Sequence, residues 1–230
     1  MPTTTWNKRW GGELNRFLER SAGAHYGDQW GDPSASRLRY LARKLRYRHR
    51  LPGDLAKVRA RYLEPYATPE AVALEIGAGG GRWTRYLLAA REVIVVELNG
   101  EFVEYLERRF PDARDKLRFY ETSGYELRGI PDESVDFVFS FGTFVHIDPE
   151  GIDEYLGEIR RVLRPGRVAS LHYGDRSKPF FAGKPPGHIG FSDMNAEKME
   201  RLAAGHGFEV VAHDRKTLNH SNVAVLRRPS

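Results

Sequence analysis

Between residues 73 and 99 an apolar run ends in an acid, breaks into glycines, and resumes as a second apolar run that ends in another acid. The stretch reads ALEIGAGGGRWTRYL (73–87) and then VIVVELN (93–99). Glu75 closes the first run, and glycines follow at Gly77, Gly79, Gly80 and Gly81. A backbone that turns sharply and approaches a ligand closely needs positions without a Cβ, which explains this crowding of glycine. Trp83, Tyr86 and Leu87 then open a helical pattern, and Glu97 ends the next run 20 residues after Gly77. In a βαβ unit that separation delivers a carboxylate to the hydroxyls of a ribose. The pattern predicts a nucleoside site on a doubly wound sheet.

Position 82 narrows the nucleoside. A dinucleotide site of the G-x-G-x-x-G kind wants glycine or alanine there, and this chain has Arg82. Its spacing is E-x-G-x-G-x-G, with Glu75 two residues ahead of the first glycine. A carboxylate aimed into such a loop repels a pyrophosphate and suits a ligand that carries an ammonium and a sulfonium. On these residues the chain resembles the class I S-adenosylmethionine-dependent methyltransferases, of the bacterial small-molecule type. The segment PDESVDFVFSFGTFVHI (131–147) is similar to the family's fourth-strand motif, and LRPGRV (163–168) to its turn into strand five. The similarity runs from about residue 66 to about residue 227.

The order of elements read from periodicity fits that resemblance. Strands are expected at 71–76, 93–98, 117–122, 135–141 and 167–173, alternating with helical patterns at 82–90, 100–110 and 151–164, which predicts a parallel sheet with right-handed crossovers. A further helix is expected at 195–205. The runs FEVVAHD (208–214) and NVAVLRR (222–228) lie too close together for a helix between them and should pair as a hairpin. The expected fold class is therefore α/β, and the resemblance makes it a Rossmann-like, doubly wound, mostly parallel seven-stranded sheet with one antiparallel strand. Residues 1–65 are expected to form an N-terminal helical cap or lid, and 66–230 the cofactor-binding core. In the cap, Leu38, Leu41 and Leu45 repeat with helical spacing, as do Leu55, Val58 and Tyr62, with Asp54 placed to cap the second helix. Residues 174–191 form a long Gly/Pro-rich loop, of a length usually functional or mobile.

The resemblance implies S-adenosyl-L-methionine as cofactor and distributes roles over this sequence. Gly77, Ala78, Gly79 and Gly81 should carry its methionyl part, with the N-terminus of the following helix facing it. Glu75 would meet the ammonium, and Glu97, beside Leu98, would accept both ribose hydroxyls. The family often has an acid after strand three for the adenine amino group. Here Ser123, Gly124 and Tyr125 stand in that place, Ser123 as a neutral hydrogen-bonding substitute and Tyr125 as a cover for the base. Phe141 and Gly142 should border the sulfonium. Two histidines at carboxyl ends of strands, His146 and His172, are the candidate catalytic bases. Tyr173 and Asp175 are candidates to orient a polar substrate or the histidine, and Tyr26 and Trp30, with His25 and Asp28, to contact the substrate from the lid. The polar and aromatic makeup of this set suggests an acceptor hydroxyl on a sugar, glycoside or phenolic compound.

Composition sets outer limits. The 230 residues fit one decorated α/β domain, and the absence of cysteine removes disulfides, thiolate metal sites and cysteine nucleophiles. Asp148, Asp153 and Asp175 are scattered and do not form a metal-binding motif, so no metal is expected. No apolar run has the length of a signal-peptide core or a membrane span, and the expected location is the cytoplasm, with no membrane partner. The net charge of +5 is local: residues 37–61 hold ten Lys or Arg against Asp54, leaving the rest of the chain at −4. That segment is either a solvated helix face or a track for a nucleic acid backbone. A small-molecule acceptor is the expected partner, a nucleic acid methyltransferase and a non-catalytic nucleotide-binding domain are the alternatives, and self-association stays open.

Overall fold

The computed structural model describes residues 12–14, 16–17, 26 and 52–230. Over these it contains helix α1 (Pro52–Tyr62), strand β1 (Val72–Ile76), α2 (Thr84–Leu87), β2 (Glu92–Glu97), α3 (Gly100–Arg109), β3 (Leu117–Glu121), β4 (Val135–Ser140), α4 (Pro149–Val162), β5 (Leu163–Gly174), α5 (Ala196–Gly205), β6 (Glu209–Asp214) and β7 (Ser221–Arg227). The strands form one seven-stranded sheet in the order β3-β2-β1-β4-β5-β7-β6. All neighbours are parallel except that β7 runs antiparallel to both β5 and β6. Only residues 215–220 separate β6 from β7, too few for the crossover that a parallel pair requires, so the last strand must return antiparallel.

The apolar runs of the sequence are the strands buried on both faces. Every residue of β1 is buried, and in β2 only Glu92 is not, as expected where helices cover both sides of a parallel sheet. One face packs against α4 and α5 through Leu74, Ile94, Val138 and Leu171, which meet Ile152, Leu156 and Met199. The other face, with Ala73, Val95, Phe137 and Val168, meets Val58 of α1, Leu87 of α2 and Leu106 of α3. Tyr62 also donates to Asp214 Oδ2 at 3.0 Å, which ties α1 to the end of β6.

Three expectations shift. The helix expected over 82–90 is regular only at Thr84–Leu87, because the chain must regain the sheet at once: Arg91 N–H already donates to Ala71 O at 3.0 Å. Asp54 does not cap α1; the helix begins at Pro52, and Asp54 lies in its first turn, 3.4 Å from Lys57 Nζ. The helix over 151–164 runs Pro149–Val162, and LRPGRV is already strand, with Gly166 at φ +76 and a register shift against Val135 and Phe137. The repeat at Leu38, Leu41 and Leu45 lies outside the described residues, as does most of the basic segment.

Candidate active site

Side chains alternate between sheet faces with period two. Ala73 and Glu75, Val95 and Glu97, Phe139 and Phe141, and Val168 and His172 therefore share the face that packs on α1, α2 and α3. Because β2, β1, β4 and β5 are consecutive in the sheet, Glu97, Glu75, Phe141 and His172 line up at its carboxyl edge. Open α/β sheets bind their ligands at that edge.

The loop between β1 and α2 is built by alternate glycines. Gly77, Gly79 and Gly81 have φ of +73, +53 and +77, a region L-residues with a Cβ rarely adopt, which accounts for the E-x-G-x-G-x-G spacing. Gly77 N–H donates to Val96 O at 2.9 Å and Gly81 N–H to Ala78 O at 3.0 Å. Gly79 N–H donates to Glu97 Oε1, and Leu98 N–H to Glu97 Oε2 at 3.3 Å. Thr84 Oγ1 donates to Glu75 Oε2 at 2.6 Å. Thr143 on the far side packs against Gly77 and donates to Ile76 O and Gly77 O, both at 3.3 Å. Tyr26 closes the loop from above: its carbonyl lies against Gly80, and its N–H donates to the Tyr105 hydroxyl at 3.1 Å. Its ring stands among Phe17 and Phe102, at 5.5 and 5.4 Å between centroids. Arg109 of α3 donates to Gly80 O.

The electrostatics of the two acids are unusual. Burial pushes Glu75 up to about 8; its Thr84 hydrogen bond opposes this, and the charge of Glu97 adds to it. Burial pushes Glu97 up to about 7 against the bonds from Gly79 and Leu98. Two desolvated carboxylates side by side favour a cationic or hydroxyl-rich ligand that would restore their hydration. A Cβ built at Gly79 or Gly142 would meet nothing within 4 Å, so both borders of this edge face open space. The two buried acids and the open space at Gly79 and Gly142 fit an S-adenosyl group, with Glu75 placed for an ammonium and Glu97 for ribose hydroxyls.

The candidate bases are held differently. His172 accepts from Gly142 N–H at Nδ1 (3.0 Å), so its proton sits on Nε2, which donates to Ser221 Oγ at 2.7 Å. Burial holds it well below the usual imidazole range. Its ring stacks on Phe141 at 3.9 Å and 8°. His146 donates from Nδ1 to Gly190 O at 2.8 Å, which leaves the basic lone pair on Nε2. The loop 174–191 thus docks on the end of β4, aided by Ser192 N–H donating to Val145 O at 2.9 Å.

Other expected residues lie elsewhere. Tyr173 does not join His172: as its neighbour on β5 it points to the opposite face, fully buried, bonded to His213 Nε2 at 2.5 Å and to Asn222 Nδ2 at 3.1 Å. Asp175 is buried too, spent on Asn222 Nδ2 at 2.7 Å and on the Ser177 amide and hydroxyl. Neither is placed to orient a substrate beside His172. Ser123 is exposed and donates to Glu126 Oε1 at 3.0 Å, while Tyr125 packs edge-on against Tyr155 and over Gly151. Tyr155 donates to Gly124 O at 3.3 Å. Since α2 has four residues, its N-terminus contributes little to the site. Trp30, His25 and Asp28 lie outside the described residues. Sequence reasoning missed Thr84, Thr143, Ser221 and Gly190, which anchor site residues; only Thr84, next to the glycine loop, carried a local signal. Among the described residues no group of three acids or histidines could hold a metal ion, and no helix is long and apolar enough to cross a membrane.

The sheet order is that of the fold shared with SAM-dependent methyltransferases, and the acids at its carboxyl edge fit S-adenosyl-L-methionine as a ligand. Residues 73–166 match the family model described as a methyltransferase domain. A phosphoethanolamine N-methyltransferase from Triticum aestivum is 30% identical over 138 residues, covering 52% of this chain and 28% of its own length. The chain thus spans little more than a quarter of that curated relative. Among solved structures, a SAM-dependent methyltransferase from Aquifex aeolicus superposes with a TM-score of 0.56 at 17% identity, over 73% of this chain and 87% of that one. One from Methanosarcina mazei gives 0.62 at 16% identity, over 74% and 98%. At such identities the structures speak for the fold.

Proposed function

We propose that the chain transfers a methyl group from S-adenosyl-L-methionine to a small-molecule acceptor, at a hydroxyl oxygen of a sugar, glycoside or phenolic compound. The observation that carries this is the alignment of Glu97, Glu75 and Phe141 along one edge, with open space at Gly142 and His146 four residues beyond it. When bound, the cofactor supplies a methyl group already activated by its sulfonium. What remains for the protein is to position the acceptor and to take a proton from it. His146 suits the second task, because the Gly190 carbonyl fixes its tautomer with Nε2 basic. His172 suits the first: with both nitrogens committed, it holds the Gly142 amide and the Phe141 ring in place.

The wheat relative favours a second reading, an amine acceptor. A neutral amine brings its own lone pair and needs a base less. The two separate in one experiment, methyl transfer from labelled cofactor to matched hydroxyl and amine acceptors by wild type, His146→Ala and His172→Ala. On the hydroxyl reading His146→Ala loses about 10²–10⁴-fold in rate while its affinity for S-adenosylhomocysteine is unchanged. Undiminished turnover by His146→Ala would remove the histidine from catalysis. Calorimetry without binding of either cofactor form would sink the enzyme reading altogether. Tight binding without transfer to any acceptor would point to a regulatory domain, and competition by tRNA with a steep salt dependence to a nucleic acid substrate.

A further inference from the structure

The loop that follows β5 supplies the carbonyl that orients His146, and one side chain fastens that loop. Lys178 Nζ donates to Arg215 O, Leu218 O and Ser221 O at 2.9, 2.6 and 2.7 Å. An ammonium has three N–H groups, and here all three meet carbonyls in or beside the short link between β6 and β7. Burial pushes the Lys178 ammonium below its ordinary range, opposed by the charges of Asp175 and Asp214. Asp175 N–H adds a bond to His220 O at 3.1 Å, so the loop and the link leave the sheet side by side. The His220 ring then stands edge-on to Phe180 and Phe191, at 5.6 and 5.3 Å between centroids. Phe191 in turn meets the His146 ring edge-on at 5.8 Å.

The far end of the loop is strained. Ile189 has φ +55, a region that a β-branched residue enters only where its surroundings hold it there. Its neighbour Gly190, at φ +76, accepts the Nδ1–H of His146. That carbonyl belongs to the loop, whereas His172 and Ser221 belong to paired strands, with Gly174 in register with Ser221. We propose that Lys178 is a positioning residue for the acceptor half of the site: it clamps loop 174–191 to the β6–β7 link and so keeps the Gly190 carbonyl on His146. This rests on the reading of His146 as the base that takes the acceptor's proton, and deepens it. Without the ammonium the loop is released, Ile189 relaxes from positive φ, and Gly190 O leaves the imidazole. Which nitrogen of a neutral imidazole carries the proton follows from the hydrogen bonds it makes. A released His146 therefore reverts to the Nε2–H form that solvated imidazoles favour, and its basic nitrogen changes place.

The test reads the tautomer directly and needs no methyl acceptor. Long-range proton–nitrogen correlation spectra of the full chain are recorded at about pH 8, where histidines are neutral. His146 and His172 are assigned through His146→Gln and His172→Gln. Wild type should show His146 as Nδ1–H and His172 as Nε2–H. In Lys178→Met, which keeps the apolar stem, His146 should become mainly Nε2–H while His172 keeps its form. Affinity for S-adenosylhomocysteine, measured by calorimetry, should stay within about twofold of wild type. Lys178→Gln, a milder change, should move His146 the same way. A folded Lys178→Met or Lys178→Gln protein whose His146 stays Nδ1–H overturns the proposal. So does a parallel loss of S-adenosylhomocysteine binding or a changed His172, which would make Lys178 a support of the whole fold. A wild-type His146 in the Nε2–H form overturns it without any variant. Undiminished turnover by His146→Ala refutes the base reading instead, a distinct result that leaves the tautomer measurement standing.

Discussion

At Glu75 burial and ligand chemistry pull in opposite directions. Its carboxyl sits at about 8 and that of Glu97 at about 7, both above the ordinary 4.5 because both are desolvated. Each therefore binds more proton in the folded than in the unfolded chain between about pH 4.5 and its own raised value. Stability in the absence of ligand must fall as pH rises through that window. We expect the urea midpoint to drop from pH 5 to pH 8.5, and Glu75→Gln to flatten the drop and to be the more stable form at pH 8.5. A pH-independent wild-type midpoint would contradict the burial argument. The ligand reverses the sign: a cation at Glu75 favours the carboxylate, so affinity for S-adenosylmethionine should rise between pH 6 and 8. Glu97→Ala should weaken S-adenosylhomocysteine at least about tenfold, as measured by calorimetry, because the ribose hydroxyls lose their acceptor.

At the scale of elements, the strands and the glycine loop were legible because their signals are local. Fully buried parallel strands read as continuous apolar runs, and alternate positive φ values demand alternate glycines. Gly81 has a second constraint: a Cβ there would come within 2.6 Å of Phe110 and 2.7 Å of Leu106. Gly81→Ala should therefore cost about 1–3 kcal/mol, readable in chemical denaturation. α3 is capped by Asn99, whose Oδ1 accepts from Glu101 N–H at 2.8 Å. Asn99→Ala should cost about 1 kcal/mol. Tyr173 cannot orient a group beside His172 for an equally plain reason. Neighbours on a strand cannot face one cleft, and the face that carries Phe141 and Glu75 takes His172. Asp175 was drawn instead into a turn with Ser177, a local bond that competed with any ligand.

Over the whole molecule the end of the sheet away from the site is fastened independently. Arg161 of α4 donates to Leu127 O at 3.0 Å and Ile130 O at 2.8 Å, and pairs with Asp132 and Glu158. It bolts the segment between β3 and β4 onto the helix. Arg161→Ala should destabilise by about 2 kcal/mol, since two carbonyls lose charged donors, and leave S-adenosylhomocysteine affinity unaltered. A weaker cofactor with undiminished stability would show instead that the two ends are coupled.

The succession of strands along the chain, the loop and its two acids followed from the chain alone, because each depends on residues within a few positions of one another. The sequence also determined that β7 returns antiparallel, through the shortness of the link before it. Tertiary structure alone decided which distant groups complete the site. Tyr26 reaches Tyr105 across 79 residues and settles on Gly80, and Ser221 reaches His172 across 49. Such meetings depend on how strands and helices pack together and on which buried polar atoms need partners. Helical and strand periodicities record which face of an element is buried, and not which remote residue will meet it there.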